Sequence, residues 1–135
     1  MDSIELTIET GAVPTITDLT AECAGFVAGR GDGLLSVFVT HATAGVAIIE
    51  TGAGSDRDLL AAIDDLLPAQ PGRWSHEHGS PGHGRDHVLP GFISPSATIP
   101  VLAGELTLGT WQSVVLVDTN PDNRRRRVRL SFVVG

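Results

Sequence analysis

Lysine and tyrosine are missing from this chain of 135 residues, and cysteine occurs once. All nine basic side chains are arginine, so a Schiff-base nucleophile and a phosphate-loop lysine are both excluded. Without tyrosine, proton transfer falls to His, Asp, Glu or bound water. Cys23 has no second thiol for a disulfide or a cysteine-rich zinc cluster, and reads as a small buried side chain. No run approaches the ~20 apolar residues of a membrane span. The opening MDSIELTIET lacks a basic segment followed by an apolar one, so no membrane partner and a cytoplasmic address are expected.

Positive charge is scarce as well. A net charge of −7 repels phosphate backbones, which excludes a general nucleic-acid binder and leaves small anions open only where arginines cluster. With 41% hydrophobic and 19% charged residues the composition is that of an ordinary globular protein, and the length suits a single domain over residues 1–135.

Ile4, Leu6 and Ile8 alternate with Glu5, Thr7 and Glu9, the period-two pattern of a strand with one wet face. Thr17 reads as an N-cap with Asp18 in the first turn, ahead of Leu19, Cys23, Phe26 and Val27 at helical spacing; Gly29, Gly31 and Gly33 stop that helix. Segments 34–40 and 46–50 read as a strand pair turning through residues 41–45. Ser55 and Asp58 fit a capping box before the apolar stripe Leu59, Leu60, Ile63, Leu66 and Leu67, which ends at Pro68. Residues 69–91, rich in Gly, Pro, His and Ser, predict a long irregular loop with room for a short helical turn over 87–92. Apolar runs at 97–102, 111–117 and 128–134 predict three closing strands. The order β-α-β-β-α-loop-β-β-β is that of an α+β protein.

Four of the five histidines, His76, His78, His83 and His87, fall within twelve residues, and imidazole is a common zinc ligand. His76 and His78 share a face only if the chain is extended. His83 and His87 share one only in a helix, which Gly82 and Gly84 discourage. A flexible loop with solvated histidines is the even alternative. His41, at a strand end, reads either as a ligand reaching out from a rigid element or as a hydrogen-bonded structural histidine. Glu50 closes an apolar strand and reads as a general base, an orienting carboxylate or a plain rim acid. Arg124 to Arg127 and Arg129 suit phosphate oxygens, although strand alternation sends neighbours to opposite faces. Trp111 beside Gln112 is either core packing or an aromatic wall for a ring.

The segment His41-Ala42-Thr43-Ala44-Gly45 leading to Glu50, the loop with His76 and His87 followed by Gly91, and Ile99-Pro100-Val101 through Gly104 to Leu108-Gly109-Thr110-Trp111-Gln112 resemble successive motifs of the YjbQ-like family. The likeness runs over nearly the whole chain; Gly109-Thr110-Trp111-Gln112 is its most specific piece, and the arginines near 126 resemble the family ending. It implies an α+β sandwich of about six or seven strands with two main helices. It also implies a homotrimer and a metal or anion pocket lined by His41, His76 and His87 with Glu50 nearby. Members carry the label secondary thiamine-phosphate synthase, a transferase that joins an aminopyrimidine diphosphate to a thiazole phosphate and releases pyrophosphate. On that reading His41, His76 and His87 hold a divalent metal, zinc, with magnesium the alternative. Glu50 and Arg126 are catalytic, and Arg125, Arg126, Trp111 and Gln112 contact a small phosphorylated metabolite. His78 and His83 are not carried over. The chain departs from the pattern at Gly82-His83-Gly84-Arg85-Asp86, where members often have asparagine, and at Ala42-Thr43, where they often have Thr-Ser. Pyrophosphate-releasing sites usually hold magnesium through carboxylates, whereas three imidazoles favour zinc. The alternatives are therefore a non-catalytic metal- or metabolite-binding trimer and a zinc-dependent hydrolase.

Overall fold

A computed structural model describes residues 1–135. The elements in chain order are β1 (Asp2–Glu9), β2 (Thr15–Asp18), α1 (Thr20–Val27), β3 (Gly33–Val39), β4 (Ala44–Ile49), α2 (Ser55–Leu66), α3 (Gly84–Phe92), β5 (Ser96–Leu102), β6 (Glu105–Leu106), β7 (Ser113–Asp118) and β8 (Arg125–Val134). Strands β1-β8-β3-β5-β6 form one antiparallel sheet and β2-β7-β4 a second. No helix is long and apolar enough to cross a membrane.

Alternation along the strands dictates the layering. Leu35, Val37 and Val39 of β3, with Val128, Leu130 and Phe132 of β8, point away from solvent into a core shared with Val114 and Leu116 of β7 and with Cys23, Phe26 and Val27 of α1. Burial pushes the Cys23 thiol up to about 12, as expected for an inert core side chain. The odd residues of β7, Val115 and Val117, face the other way and meet Ile63 and Leu67 at α2 and Leu89 of α3 in a second core. The order is thus five-stranded sheet, three-stranded sheet, then α2 and α3, with α1 packed on the core between the sheets. Each fully buried Val, Leu or Ile contributes roughly 1.5–3 kcal/mol, so β7, buried on both faces, is firmly held.

The α+β class and the main strand positions agree with the sequence reading, and four details differ. Thr17 lies in the unforeseen strand β2, and α1 starts two residues later than expected, where Asp18 Oδ1 accepts the Thr20 N–H at 2.8 Å. β3 and β4 do not pair; the turn at residues 41–45 carries the chain from one sheet to the other, where β4 pairs with β7. Gly54, in the left-handed region at φ 106°, occupies the N-cap of α2, so Ser55 forms no capping box; Asp56 and Asp58 still suit the positive end of the helix. Residues 84–92, expected to be mostly loop, are helical over nine residues even with Pro90 inside.

That last difference has a tertiary cause. Arg85 leaves the start of α3 to bind the Asp64 carboxylate and, at 3.2 Å, the Leu67 carbonyl, tying α3 to α2. Leu89 and Val88 meanwhile pack on β7. Packing overrides the weak helix propensity of Gly84 and Pro90.

Candidate metal centre

Helix α3 places His83, at its N-cap, and His87 one turn apart on one face. Their Nε2 atoms are 2.8 Å apart. His76 comes from the preceding loop, its ring centroid 3.8 Å from that of His87 and 5.4 Å from that of His83. The loop is held by Trp74, whose indole N–H donates to the Pro68 carbonyl at 2.9 Å, and by the absence of a side chain at Gly84. A Cβ there would stand 2.4 Å from both the His76 carbonyl oxygen and Trp74 Cβ. Ring nitrogens of His76, His83 and His87 all lie within 4.8 Å of one another.

The turn between β7 and β8 supplies the outer partners. Asp118 Oδ1 accepts the Asn120 N–H at 2.9 Å and Asn120 Oδ1 accepts the Asp122 N–H at 2.8 Å, two successive Asx turns that set the loop. Asp122 Oδ2 then lies 2.8 Å from His83 Nδ1 and accepts the Ser80 N–H and hydroxyl at 3.0 and 3.1 Å. The Ser80 N–H bond holds the Asp122 carboxyl below the ordinary carboxylate range. Asp86, 2% exposed, accepts from the Thr119 hydroxyl at 2.6 Å and from Asn120 Nδ2 at 3.2 Å; its burial pushes its pKa up.

A cleft of about 340 Å³ opens beside the cluster, with His78, His83 and His87 on one side and His41, Thr43, Asn123 and Arg126 on the other. His41 Nε2 accepts the Arg127 N–H at 2.9 Å, which leaves the ring proton on Nδ1, 3.3 Å from Asn123 Nδ2, so it faces the cleft with its one lone pair already engaged. The structure therefore gathers His76 and His87 as expected and adds His83. His41 stays across the cleft, and the exposed His78 sits beside His76 outside the convergent set.

The remaining expected site residues are distributed differently. Ala44 of β4 pairs with Asp118 at the cleft, while Ile49 pairs with Ser113 at the opposite end. Glu50, Trp111 and Gln112 follow or precede that far pair, separated from the histidines by the length of the strand, about 17 Å at ~3.3 Å per residue. Glu50 is exposed rather than buried, and Trp111 is 73% exposed rather than core. Gln112 Oε1 accepts the Gly109 N–H at 2.8 Å, closing its own turn. Arg125 points outward to Glu9 at 2.6 Å. Arg126 points inward, fully buried, with Nε and Nη2 on the Asp118 carboxylate at 2.7 and 2.9 Å and Nη1 without a partner. Sequence reasoning missed His83, Asp122, Asn120 and Asn123. The i,i+4 spacing of His83 and His87 was the available signal, discounted because of the flanking glycines.

Burial first, then the neighbouring histidines, lowers the His76 and His87 pKa below 6.5; burial and then Arg126 and Arg127 lower that of His41. An unfolded chain takes up protons at these rings from about pH 6.5, whereas the folded chain resists until lower pH. Their contribution to stability is therefore complete above that value and is lost as pH falls toward the folded pKa values. Thermal unfolding of metal-free protein should show a midpoint that is flat above about pH 7 and falls as pH drops below about 6.5. A midpoint rising over that range would contradict the environment described.

Residues 4–135 match the family described as UPF0047 protein YjbQ-like. A UPF0047 protein of Mycobacterium tuberculosis is 58% identical over 135 residues, all of both chains. The UPF0047 protein YugU of Bacillus subtilis is 30% identical over 81% of this chain and 83% of its own. Among solved structures, a hypothetical protein of Aeropyrum pernix superposes with a TM-score of 0.87 at 30% identity, covering 100% of each chain. A conserved protein of Clostridium acetobutylicum does so with 0.84 at 28%, covering 96% of this chain and 99% of that one. These names carry a family and no reaction. With the family match, the identity to relatives and the fold in agreement, the chain belongs to the YjbQ-like UPF0047 family.

Proposed function

We propose that His76, His83 and His87 form a three-imidazole site for a divalent metal, zinc in preference to magnesium, and that the cleft beside it binds a small oxygen-bearing metabolite for hydrolysis. The observation that carries this is the convergence of three ring nitrogens within 4.8 Å, with a buried His76 Nε2 that has no partner and a His83 Nδ1 set against a carboxylate. That donor set fits zinc, which takes three protein nitrogens and leaves a position open. Magnesium wants oxygen ligands, and no carboxylate belongs to the set. A divalent ion there supplies Lewis acidity toward a ligand oxygen or water. The protein's own groups do the rest: Asp122 orients His83, while Thr43 and Asn123 offer polar contacts on the far wall of the cleft.

The thiamine-phosphate synthase-type transfer is the second reading, and its specific support is Arg126 Nη1, a buried donor without a partner on a residue lining the cleft. It is the weaker of the two because a diphosphate needs several positive partners, whereas Arg125 faces Glu9 and the rest of Arg126 is bound to Asp118. Homotrimeric assembly belongs to the same proposal. It is supported by an outer sheet face that leaves Leu34, Phe38, Leu102 and Val133 exposed.

The test is calorimetric titration of metal-stripped protein with zinc near neutral pH, followed by assays of the loaded protein. Ester hydrolysis without release of pyrophosphate supports the first reading. Pyrophosphate formed only when the pyrimidine diphosphate and thiazole phosphate are both present supports the second. Stoichiometric zinc with neither activity leaves a metal-binding role, and absence of zinc binding defeats both that role and the first reading. A monomer by light scattering removes the trimer.

A further inference from the structure

The Nδ1 atom of His83 faces two groups of opposite polarity. Asp122 Oδ2, at 2.8 Å, can only accept a hydrogen bond; Asn120 Nδ2, at 3.0 Å, can only donate one. A single ring nitrogen carries either a proton or a lone pair, so one of the two contacts excludes the other. The Asn120 amide cannot turn over to resolve the conflict. Its Oδ1 accepts the Asp122 N–H at 2.8 Å and its Nδ2 donates to the buried Asp86 carboxylate at 3.2 Å. An unprotonated Nδ1 would press its lone pair against an ionised carboxylate, whereas Asn120 Nδ2 loses little because it has Asp86. The charged contact wins.

We propose that Asp122, acting against Asn120, fixes His83 in the tautomer with its proton on Nδ1, which makes Asp122 the positioning residue of the histidine cluster. The consequence for metal binding rests on the three-imidazole reading above. With Nδ1 protonated, the Nε2 lone pair of His83 faces the cluster and is ready to ligate. In the metal-free protein the 2.8 Å contact between the two Nε2 atoms then makes His87 the donor and His83 the acceptor. The same Asp122 oxygen receives both donors of Ser80, and the chain at Gly79 passes so close that an added Cβ would lie 2.6 Å from it. Loop anchoring and tautomer control thus meet at one atom, and an experiment has to separate them.

Long-range proton–nitrogen correlation spectra of the imidazoles in the metal-stripped, full-length protein read the tautomer directly, at a pH where the rings are neutral. Wild type should show His83 protonated on Nδ1. In Asp122→Ala the Asn120 donor is the neighbour left within hydrogen-bond distance, with Asp86 Oδ2 beyond it at 4.0 Å, so the proton should move to Nε2. Zinc affinity in that variant should drop by ~10–100-fold, the range for loss of an outer partner of a ligating histidine. Ser80→Ala removes one loop contact and keeps the carboxylate, so its tautomer and affinity should stay those of wild type. A wild-type ring protonated on Nε2, or an Asp122→Ala ring that stays protonated on Nδ1, overturns the proposal. An equal loss of affinity in both variants at unchanged tautomer also overturns it, because Asp122 would then act only as a loop anchor. The spectra require no metal, so wild-type protein that takes up no zinc refutes the metal reading separately from the tautomer assignment.

Discussion

Asp118→Ala, which removes the buried partner of the cleft residue Arg126, is expected to lower folding stability by about 3–5 kcal/mol. Arg126 is 0% exposed and Asp118 1%, and the carboxylate takes two hydrogen bonds from the guanidinium. Removing it leaves a positive charge in the core with only a distant contact, Nη2 to the Thr43 carbonyl at 3.4 Å. Asn120 also loses the acceptor of its N–H, so the turn bearing Asp122 loosens with it. Urea denaturation followed by circular dichroism measures the change. The pair as a whole is worth much less than either partner's removal suggests, because both ions were taken out of water. The double replacement Asp118→Leu with Arg126→Met should therefore recover a large part of the lost stability. A single variant losing less than about 1 kcal/mol would mean that water reaches Arg126.

Zinc affinity should fall more than ~100-fold in each of His76→Ala, His83→Ala and His87→Ala, since losing a ligand exceeds the 10–100-fold typical of an outer partner. His78→Ala and His41→Ala should stay within a few-fold of wild type. The reasoning is geometric: the first three offer nitrogens within 4.8 Å of one another, while His41 has its Nε2 on the Arg127 N–H at 2.9 Å. Calorimetry on all five variants, with thermal midpoints alongside, separates ligand loss from unfolding. The family resemblance points to His41 rather than His83, which makes the comparison decisive. If His41→Ala loses the metal and His83→Ala keeps it, His41 must leave Arg127 on binding and the cluster seen here is not the ligand set.

Legibility in the sequence followed burial. Strands with one wet face, such as β1, and the stripe of α2 announce themselves because alternation and helical spacing each record which side meets solvent. β2 did not, since three of its four residues are half-buried and it carries no pattern longer than one pair. α3 was hidden for another reason: Gly84 and Pro90 oppose a helix locally, and the residues that enforce it, Asp64, Leu67 and Val115, lie elsewhere in the chain. The same distance effect governs the site. The density of histidines was visible, but which three converge depends on Asp122 and on the close passage of Gly84 beneath His76. Glu50 illustrates the converse, because a carboxylate at the end of an apolar strand looks like a buried acid until the direction of that strand is known.

The empty position at Gly84 also limits how this protein can drift over generations. Segment 76–83 begins and ends on ligand candidates and is closed on itself at Gly84, with His76 O and Trp74 Cβ each 2.4 Å from where a side chain would start. A residue inserted within it would displace one histidine relative to the others, and any replacement of Gly84 would need a compensating change on the Trp74 side. Upstream, Pro71, Gly72 and Arg73 are exposed and free of that constraint. Length variation tolerated by descendants of this chain should thus collect before Trp74, with the stretch from His76 to His87 inherited as one indivisible unit.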